Sequence, residues 1–474
     1  MATLTITESH DYTNDVLVNI TDITFNTSAT AFATFDPAQF DNVQISTSVH
    51  ITGDANLNFI IVEMSNPGTF SAAGWTFTNW TGSDLVFIPA SAGADTITGS
   101  SGSNVITGGA GADTLTGGND DDTFNYSTGT DIEAGESING LGGTDSIAVV
   151  SDETGPSYDF SLALVTGIER LFMNSGPAGS ATVTLAGDQI GLGGIIQIID
   201  SALLTNALIV TGSLVDLSPV LFNNWTSGVD TVTINGTAGL DNLVGSNQAD
   251  TINGGGNADS MAGGAGSDTY FVDHAGDLVD ESPLGSDGTD LVMASVNFSL
   301  ADIIHAKGQI ENLTLTGSAT NGTGNGVNNV LIGNANANSL DGGNGNDTLT
   351  GGLGKDTLAG GIDADTDIFD FNHKTESKKG ALRDVITDFD GGVDQIDVSG
   401  IDARTGVAGN QKFLWIGKAA FHDKKGELHY KLVDNAGTAN DKTIVSGDIN
   451  GDGKADFQIE LTGLHNLHKG DFIL

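Results

Sequence analysis

Carboxylates recur in this chain at a fixed interval, and their surroundings indicate what they do. The run Gly108-Gly109-Ala110-Gly111-Ala112-Asp113-Thr114-Leu115-Thr116 has the form G-G-x-G-x-D-x-U-x, with U apolar. Looser copies begin at Ala90, with Asp95 in sixth place, at Gly99, with Asn104, and at Gly117, with Asp122. A second array starts at Gly236 and puts Asp241, Asp250, Asp259 and Asp268 in sixth place. A third starts at Gly324, with Asn329 and Asn338 followed by Asp347, Asp356 and Asp365. Acids brought together at this spacing repel unless a cation lies between them. A hard cation taking ~6–8 oxygen ligands at ~2.3–2.6 Å suits carboxylates plus turn carbonyls, which describes Ca²⁺ better than Mg²⁺. The candidate calcium ligands are these aspartates with the turn glycines Gly109, Gly111, Gly255, Gly264, Gly266, Gly343, Gly345, Gly352 and Gly354.

The elements that position them follow from the same nine residues. Gly-Gly-x-Gly-x-Asp reads as a tight turn, because several of its places need a left-handed or bare backbone. The last three residues form a short strand with one apolar side chain pointing inward. Two copies make one 18-residue coil, and stacked coils make a parallel β-roll in which sixth-place residues 18 apart become neighbours. Asp95 with Asp113, Asp241 with Asp259, Asp250 with Asp268 and Asp347 with Asp365 are the expected complete sites. Asn104 with Asp122, Asn329 with Asp347 and Asn338 with Asp356 pair an amide with an acid and are expected to be weaker or empty.

These arrays resemble the RTX family of secreted bacterial calcium-binding proteins. The stretch Gly266-Ser267-Asp268-Thr269-Tyr270-Phe271-Val272-Asp273 through Gly288-Thr289-Asp290 resembles a segment that follows such arrays, as does Asn312-Leu313-Thr314-Leu315-Thr316-Gly317 leading to Gly322-Thr323-Gly324-Asn325. Further on, Asp384-Val385-Ile386-Thr387-Asp388-Phe389 and Gly392-Val393-Asp394-Gln395-Ile396-Asp397-Val398 resemble the C-terminal module of serralysin-type secreted proteases. In that context Asp471-Phe472-Ile473-Leu474 is similar to the uncleaved signal of type I secretion substrates. The resemblance therefore implies a secreted, extracellular or cell-surface bacterial protein whose C-terminus engages type I secretion machinery. Asp448-Ile449-Asn450-Gly451-Asp452-Gly453-Lys454-Ala455-Asp456 has the front of an EF-hand-like loop, with Asp448, Asn450, Asp452 and Asp456 as candidate ligands. Place 12 is Ile459, so a calcium-binding turn is favoured over a true EF-hand.

Composition narrows the function classes. With 16 basic against 61 acidic residues the net charge is −45, which disfavours nucleic acid and anionic membranes as partners. There is no cysteine, hence no disulfide, thiol catalysis or thiolate metal site. The 67 glycines, about twice the usual share of ~7%, point away from helices. No Sec-type signal and no apolar run of transmembrane length is present. The basic residues are uneven: 13 of the 16 lie in Lys374–Lys469.

The expected fold class is all-β, a set of parallel β-roll or β-solenoid calcium-binding arrays with additional β-rich segments. Residues 1–89 form an N-terminal β-rich unit, 90–149 the first roll and 150–235 a second β-rich unit. Residues 236–323 form the second roll with connecting strands, 324–371 the third, and 372–474 the C-terminal module. Asn79-Trp80-Thr81 before the first array echoes Asn224-Trp225-Thr226 before the second, which suggests two related units. An independent β-sandwich over 1–89 is the alternative.

Neither H-E-x-x-H nor G-x-S-x-G occurs. His465 and His468 read as a solvated pair beside the secretion signal. The expectation is a non-enzymatic, calcium-stabilised protein of a surface layer (S-layer), extracellular matrix or adhesive coat, prone to self-association, with a surface polysaccharide as a further candidate partner. The alternative is a secreted polysaccharide-active hydrolase, lyase or epimerase. A pore-forming role is disfavoured for want of a long apolar or amphipathic helical stretch.

Overall fold

The structure, a computed structural model, describes residues 2–150, 155–173, 180–201, 205–283, 285–434 and 440–474. It divides into two compact units, Met1–Asn235 and Gly236–Leu474. Among the described residues there is no α-helix; short strands and turns make up both units.

In the first unit, strands stack in parallel in the order in which the chain visits each face. One ten-stranded sheet runs His10–Asp11, Ala31–Phe35, Asn58–Val62, Leu85–Pro89, Asn104–Thr107, Thr123–Tyr126, Ser146–Val149, Arg170–Met173, Gln197–Asp200 and Leu221–Asn223. A second face carries Thr69–Ser71, Thr96–Thr98, Thr114–Gly118, Ser137–Leu141 and Leu164–Thr166. Within the array the register step is one 18-residue coil, as Ile97 opposite Leu115 illustrates. These apolar residues, with Ile106, Phe124, Ile138 and Ile147, are fully buried. One inward side chain per short strand thus forms the core, which is why the apolar place repeats every ninth residue.

Residues 1–89 coil in the same parallel sense, with longer excursions between strands. Phe32 lies opposite Phe59, and Ile23 opposite Ile51. The ladder passes unbroken into the first array, with Phe87 opposite Val105 and Phe70 opposite Ile97. This parallel pairing excludes the sandwich alternative, whose strands would pair antiparallel. The two Asn-Trp-Thr corners are built alike. Asn79 and Asn224 have left-handed φ values of 55° and 60°, and the ring centroids of Trp80 and Phe77 lie 5.2 Å apart, those of Trp225 and Phe222 5.1 Å.

In the second unit, Asp250–Asn253, Thr269–Val272, Leu291–Ala294, Asn312–Leu315, Val330–Ile332, Thr348–Thr350, Ile368–Asp370, Gln395–Asp397 and Phe472–Ile473 follow one another in parallel. Leu331 opposite Leu349 and Leu340 opposite Leu358 repeat the 18-residue step. The pattern changes at the end: Lys442–Asp448 pairs antiparallel with both Glu427–Val433 and Phe457–Thr462. Most of the basic residues lie in this part, where Arg383 and Lys442 both pair with Glu460, at 2.7 and 3.2 Å.

Candidate metal centres

The turn Gly108–Asp113 shows how the sequence builds one centre. Gly109 and Gly111 hold φ of 84° and 126°, and a Cβ on Gly109 would stand 2.3 Å from the Ser91 carbonyl oxygen. Only glycine fits this bend against the coil below it. The bend buries Asp113 completely, and its Oδ1 accepts the Asp95 backbone N–H at 2.7 Å. Asp113 in turn donates its own N–H to Glu136 Oε2 at 2.9 Å.

Every array repeats this ladder, in which each carboxylate accepts the backbone N–H of the acid or amide one coil earlier. Asn104, Asp122, Asp145 and Glu169 form one column, at 2.7 to 2.8 Å. Asp241, Asp259 and Asp277 form a second, at 2.9 and 3.1 Å. Asp250, Asp268, Asp290 and Glu311 form a third. Asn329, Asp347, Asp367 and Asp394 form a fourth, and Asn338, Asp356 and Asp384 a fifth.

The second carboxylate oxygen separates two kinds of turn. In some it is satisfied from within: Thr237 N–H donates to Asp241 Oδ2 at 2.6 Å, Ser246 to Asp250 at 2.6 Å, and Gly118 to Asp122 at 2.5 Å. In turns whose second residue is left-handed glycine that N–H points elsewhere. Oδ2 of Asp113, Asp259, Asp268, Asp347 and Asp356 is then buried with no hydrogen-bond partner. A buried unpaired carboxylate oxygen costs several kcal/mol unless a cation or proton meets it. Carboxylate donors aimed into glycine turns fit Ca²⁺, a hard ion served by oxygen. In the absence of a cation, burial, helped by neighbouring acids, pushes Asp113 and Asp347 up to about 6, Asp268 and Asp356 to about 7 and Asp384 to about 8.

The expected ligands are thus distributed unequally. Asp95 keeps its Oδ1 for the Gly68 N–H at 2.6 Å, with the Ser91 hydroxyl 3.4 Å from Oδ2. Asp347 and Asp356, paired with amides, have the same open oxygen as Asp113 and Asp259, so a left-handed backbone in second place sorts the turns where the identity of the paired side chain does not; Gly118, which is not left-handed, closes on Asp122. Asp365 is not brought to Asp347. It lies exposed on a turn lengthened by two residues, and buried Asp367 accepts the Asp347 N–H at 2.9 Å instead. In the 448–456 loop, Asp448 accepts from Gly451 and Gly453 N–H, Asn450 from Asp452, Asp452 from Lys454, and Asp456 from Ile449 and Asn450. The loop closes on its own amides.

The structure also adds members that period counting misses. Gly140-Leu141-Gly142-Gly143-Thr144-Asp145 is an open turn of the same kind, with Leu141 at φ 74°, Gly143 at 124° and Asp145 Oδ2 unpartnered. Its leucine in the second place hides it, and the 23-residue step from Asp122 puts it out of phase. Glu136, Asp290, Asp384 and Asp394 are hidden likewise by longer coils or by glutamate in the acid's place, whereas Asp277 keeps the 18-residue step from Asp259 but follows Val272-Asp273-His274-Ala275-Gly276, which lacks the paired glycines.

Comparison with known proteins agrees with this geometry. A family model of the RTX calcium-binding nonapeptide repeat, in four copies, matches residues 89–132. A model of the peptidase M10 serralysin C terminal matches residues 191–474. No curated protein matches the chain. Among solved structures, the solution structure of the AlgE6R3 subunit from the Azotobacter vinelandii mannuronan C5-epimerase is 24% identical, over 31% of this chain and 78% of that one, with a TM-score of 0.16. The chain is a calcium-binding, all-β protein of parallel rolls. Since the second family model spans more than half of the chain, the protein belongs to the family defined by the peptidase M10 serralysin C-terminal domain.

Proposed function

We propose that this is a secreted structural protein, exported unfolded by type I secretion and folded outside the cell by calcium, which serves in a surface layer, matrix or adhesive coat. The observation that carries the reading is the reach of the carboxylate columns. They run on outside the glycine repeats, through Asp145 and Glu169 in the first unit and through Asp290, Glu311, Asp384 and Asp394 in the second. Calcium chemistry is therefore part of the framework of both units, and the parallel ladder of residues 1–89 continues directly into the first array.

Export in an unfolded state agrees with the electrostatics. At low calcium, a charge of −45 and buried, facing carboxylates oppose compaction. Bound calcium supplies the positive charge that lets those oxygens stay buried, so binding and folding are one event. Phe472–Ile473, within the candidate secretion signal, pairs with Ile396–Asp397, and Phe472 packs on Trp415 with ring centroids 4.6 Å apart. A signal folded into a sheet is readable only before folding. Self-association is supported by the edge strand Ala2–Ile6, whose only partner strand among the described residues is Ile20–Phe25. An unpaired edge is a template for another strand.

Sedimentation velocity of the whole chain, in chelator and then in millimolar calcium, tests this. Compaction followed by large assemblies that dissolve on chelation is the expected result. Compaction to a monomer at every concentration overturns the structural role and sends the search to polysaccharide turnover.

A further inference from the structure

One cluster of buried charge is built on a different plan from the nonapeptide turns. Glu281 ends the strand Leu278–Glu281, 18 residues after Gly263, the first glycine of the turn that carries Asp268. At Gly263 a Cβ would stand 1.9 Å from Asp268 Oδ2, so a larger residue there would displace that carboxylate. On the next coil the turn is longer, since Asp268 pairs with Asp290, 22 residues on, where Asp250 and Asp268 are 18 apart. The longer turn makes room for a glutamate where the repeat demands glycine.

Glu281 is 6% exposed, Asp268 1% and Asp290 3%. One carboxylate oxygen from each lies within 4.8 Å of the other two. Glu281 Oε1 accepts the hydroxyl of fully buried Tyr270, while Glu281 Oε2 and Asp268 Oδ2 are buried without any hydrogen-bond partner. Among the described residues no lysine, arginine or histidine forms an ion pair with any of the three; Lys307, on the neighbouring strand, is engaged by Asp280 at 3.0 Å. Three buried acids with two orphan oxygens and no base can stay ionised together only around a counter-ion. Carboxylate oxygens gathered this closely can reach one hard cation, and an all-oxygen, all-anionic donor set suits Ca²⁺. A cleft of about 490 Å³ lined by Glu281, Asp287, Asp290, Gly308 and Glu311 gives access from solvent.

We propose that Asp268, Glu281 and Asp290 hold a calcium ion of their own, in a site whose defining ligand is the glutamate that replaces the first glycine of its turn. The site stands or falls independently of the structural role proposed above.

Crystals of the full chain grown with calcium and soaked in Tb³⁺ test it without mutation. An anomalous peak within bonding distance of all three carboxylates is expected; peaks confined to the glycine turns overturn the site. In solution, Glu281→Gln keeps the size and the Tyr270 hydrogen bond and is expected to lower the ion count by one per chain. It should also remove the Tb³⁺ emission that disappears in Tyr270→Phe. Tyr270→Phe itself should dim that emission with the ion count unchanged. An unchanged ion count in Glu281→Gln, with only a loss of stability, reduces Glu281 to a hydrogen-bond partner of Tyr270 and overturns the proposal.

Discussion

At the residue scale, the account turns on one backbone angle and one oxygen. A left-handed second residue frees the aspartate's Oδ2, and glycine reaches that angle without strain. Leu141 does not. At φ 74° and 57% exposed it carries steric strain with little packing in return. Leu141→Gly is expected to raise the stability of the calcium-loaded protein by about 1 kcal/mol, after allowance for the flexibility glycine adds to the unfolded chain. Chemical denaturation in saturating calcium measures it. Gly109→Ala should act in the opposite direction, costing about 2 kcal/mol or more, because its Cβ meets the Ser91 carbonyl. Among the acids, Asp259→Ala and Asp367→Ala should weaken calcium binding by calorimetry. Asp273→Ala and Asp365→Ala, on exposed positions, should leave it near the parent value. Equal losses from all four would contradict the column scheme.

At the scale of elements, the columns explain a pH dependence. Burial raises the carboxyl groups of the folded, calcium-free protein from the ordinary value of 3.8 to about 6 for Asp113 and Asp347, about 7 for Asp145, Asp268, Asp356 and Asp367, and about 8 for Asp384. The folded state therefore binds more protons than the unfolded state across this window, and stability falls as pH rises through it. Without calcium, the chain should be more resistant to urea near pH ~5 than near pH ~8; with calcium bound, that difference should shrink or reverse, since protons compete for the same oxygens. A calcium-free protein more stable at the higher pH contradicts the burial of these groups.

The same elements show what was legible in the sequence. The 18-residue coil was, since period, turn glycine and inward apolar residue all report it. Coils lengthened by insertions were not, because counting in nines puts Asp365 where the fold uses Asp367 and passes over Asp145. Parallel coiling of residues 1–89 was hidden too. Alternation of apolar and polar residues is common to parallel and antiparallel strands, and no glycine repeat marks the step from Phe32 to Phe59.

At the scale of the molecule, the ledger of charge decides. A chain of net charge −45 buries row upon row of acids, and several of their oxygens are left without a partner. Each unit is held by ladders whose rungs include backbone N–H groups bonded to those carboxylates, so ladder and charge fail together when the counter-charge is withdrawn. The most direct measurement is hydrogen exchange of the full chain near pH ~8, in chelator and in millimolar calcium. The account predicts that the amides of Asp95, Asp241, Asp250, Asn329 and Asn338, donated to the next carboxylate in each column, exchange freely in chelator and become protected together once calcium is added. Equal protection in chelator would mean that the columns hold without a cation, and would contradict calcium as the force that folds this protein.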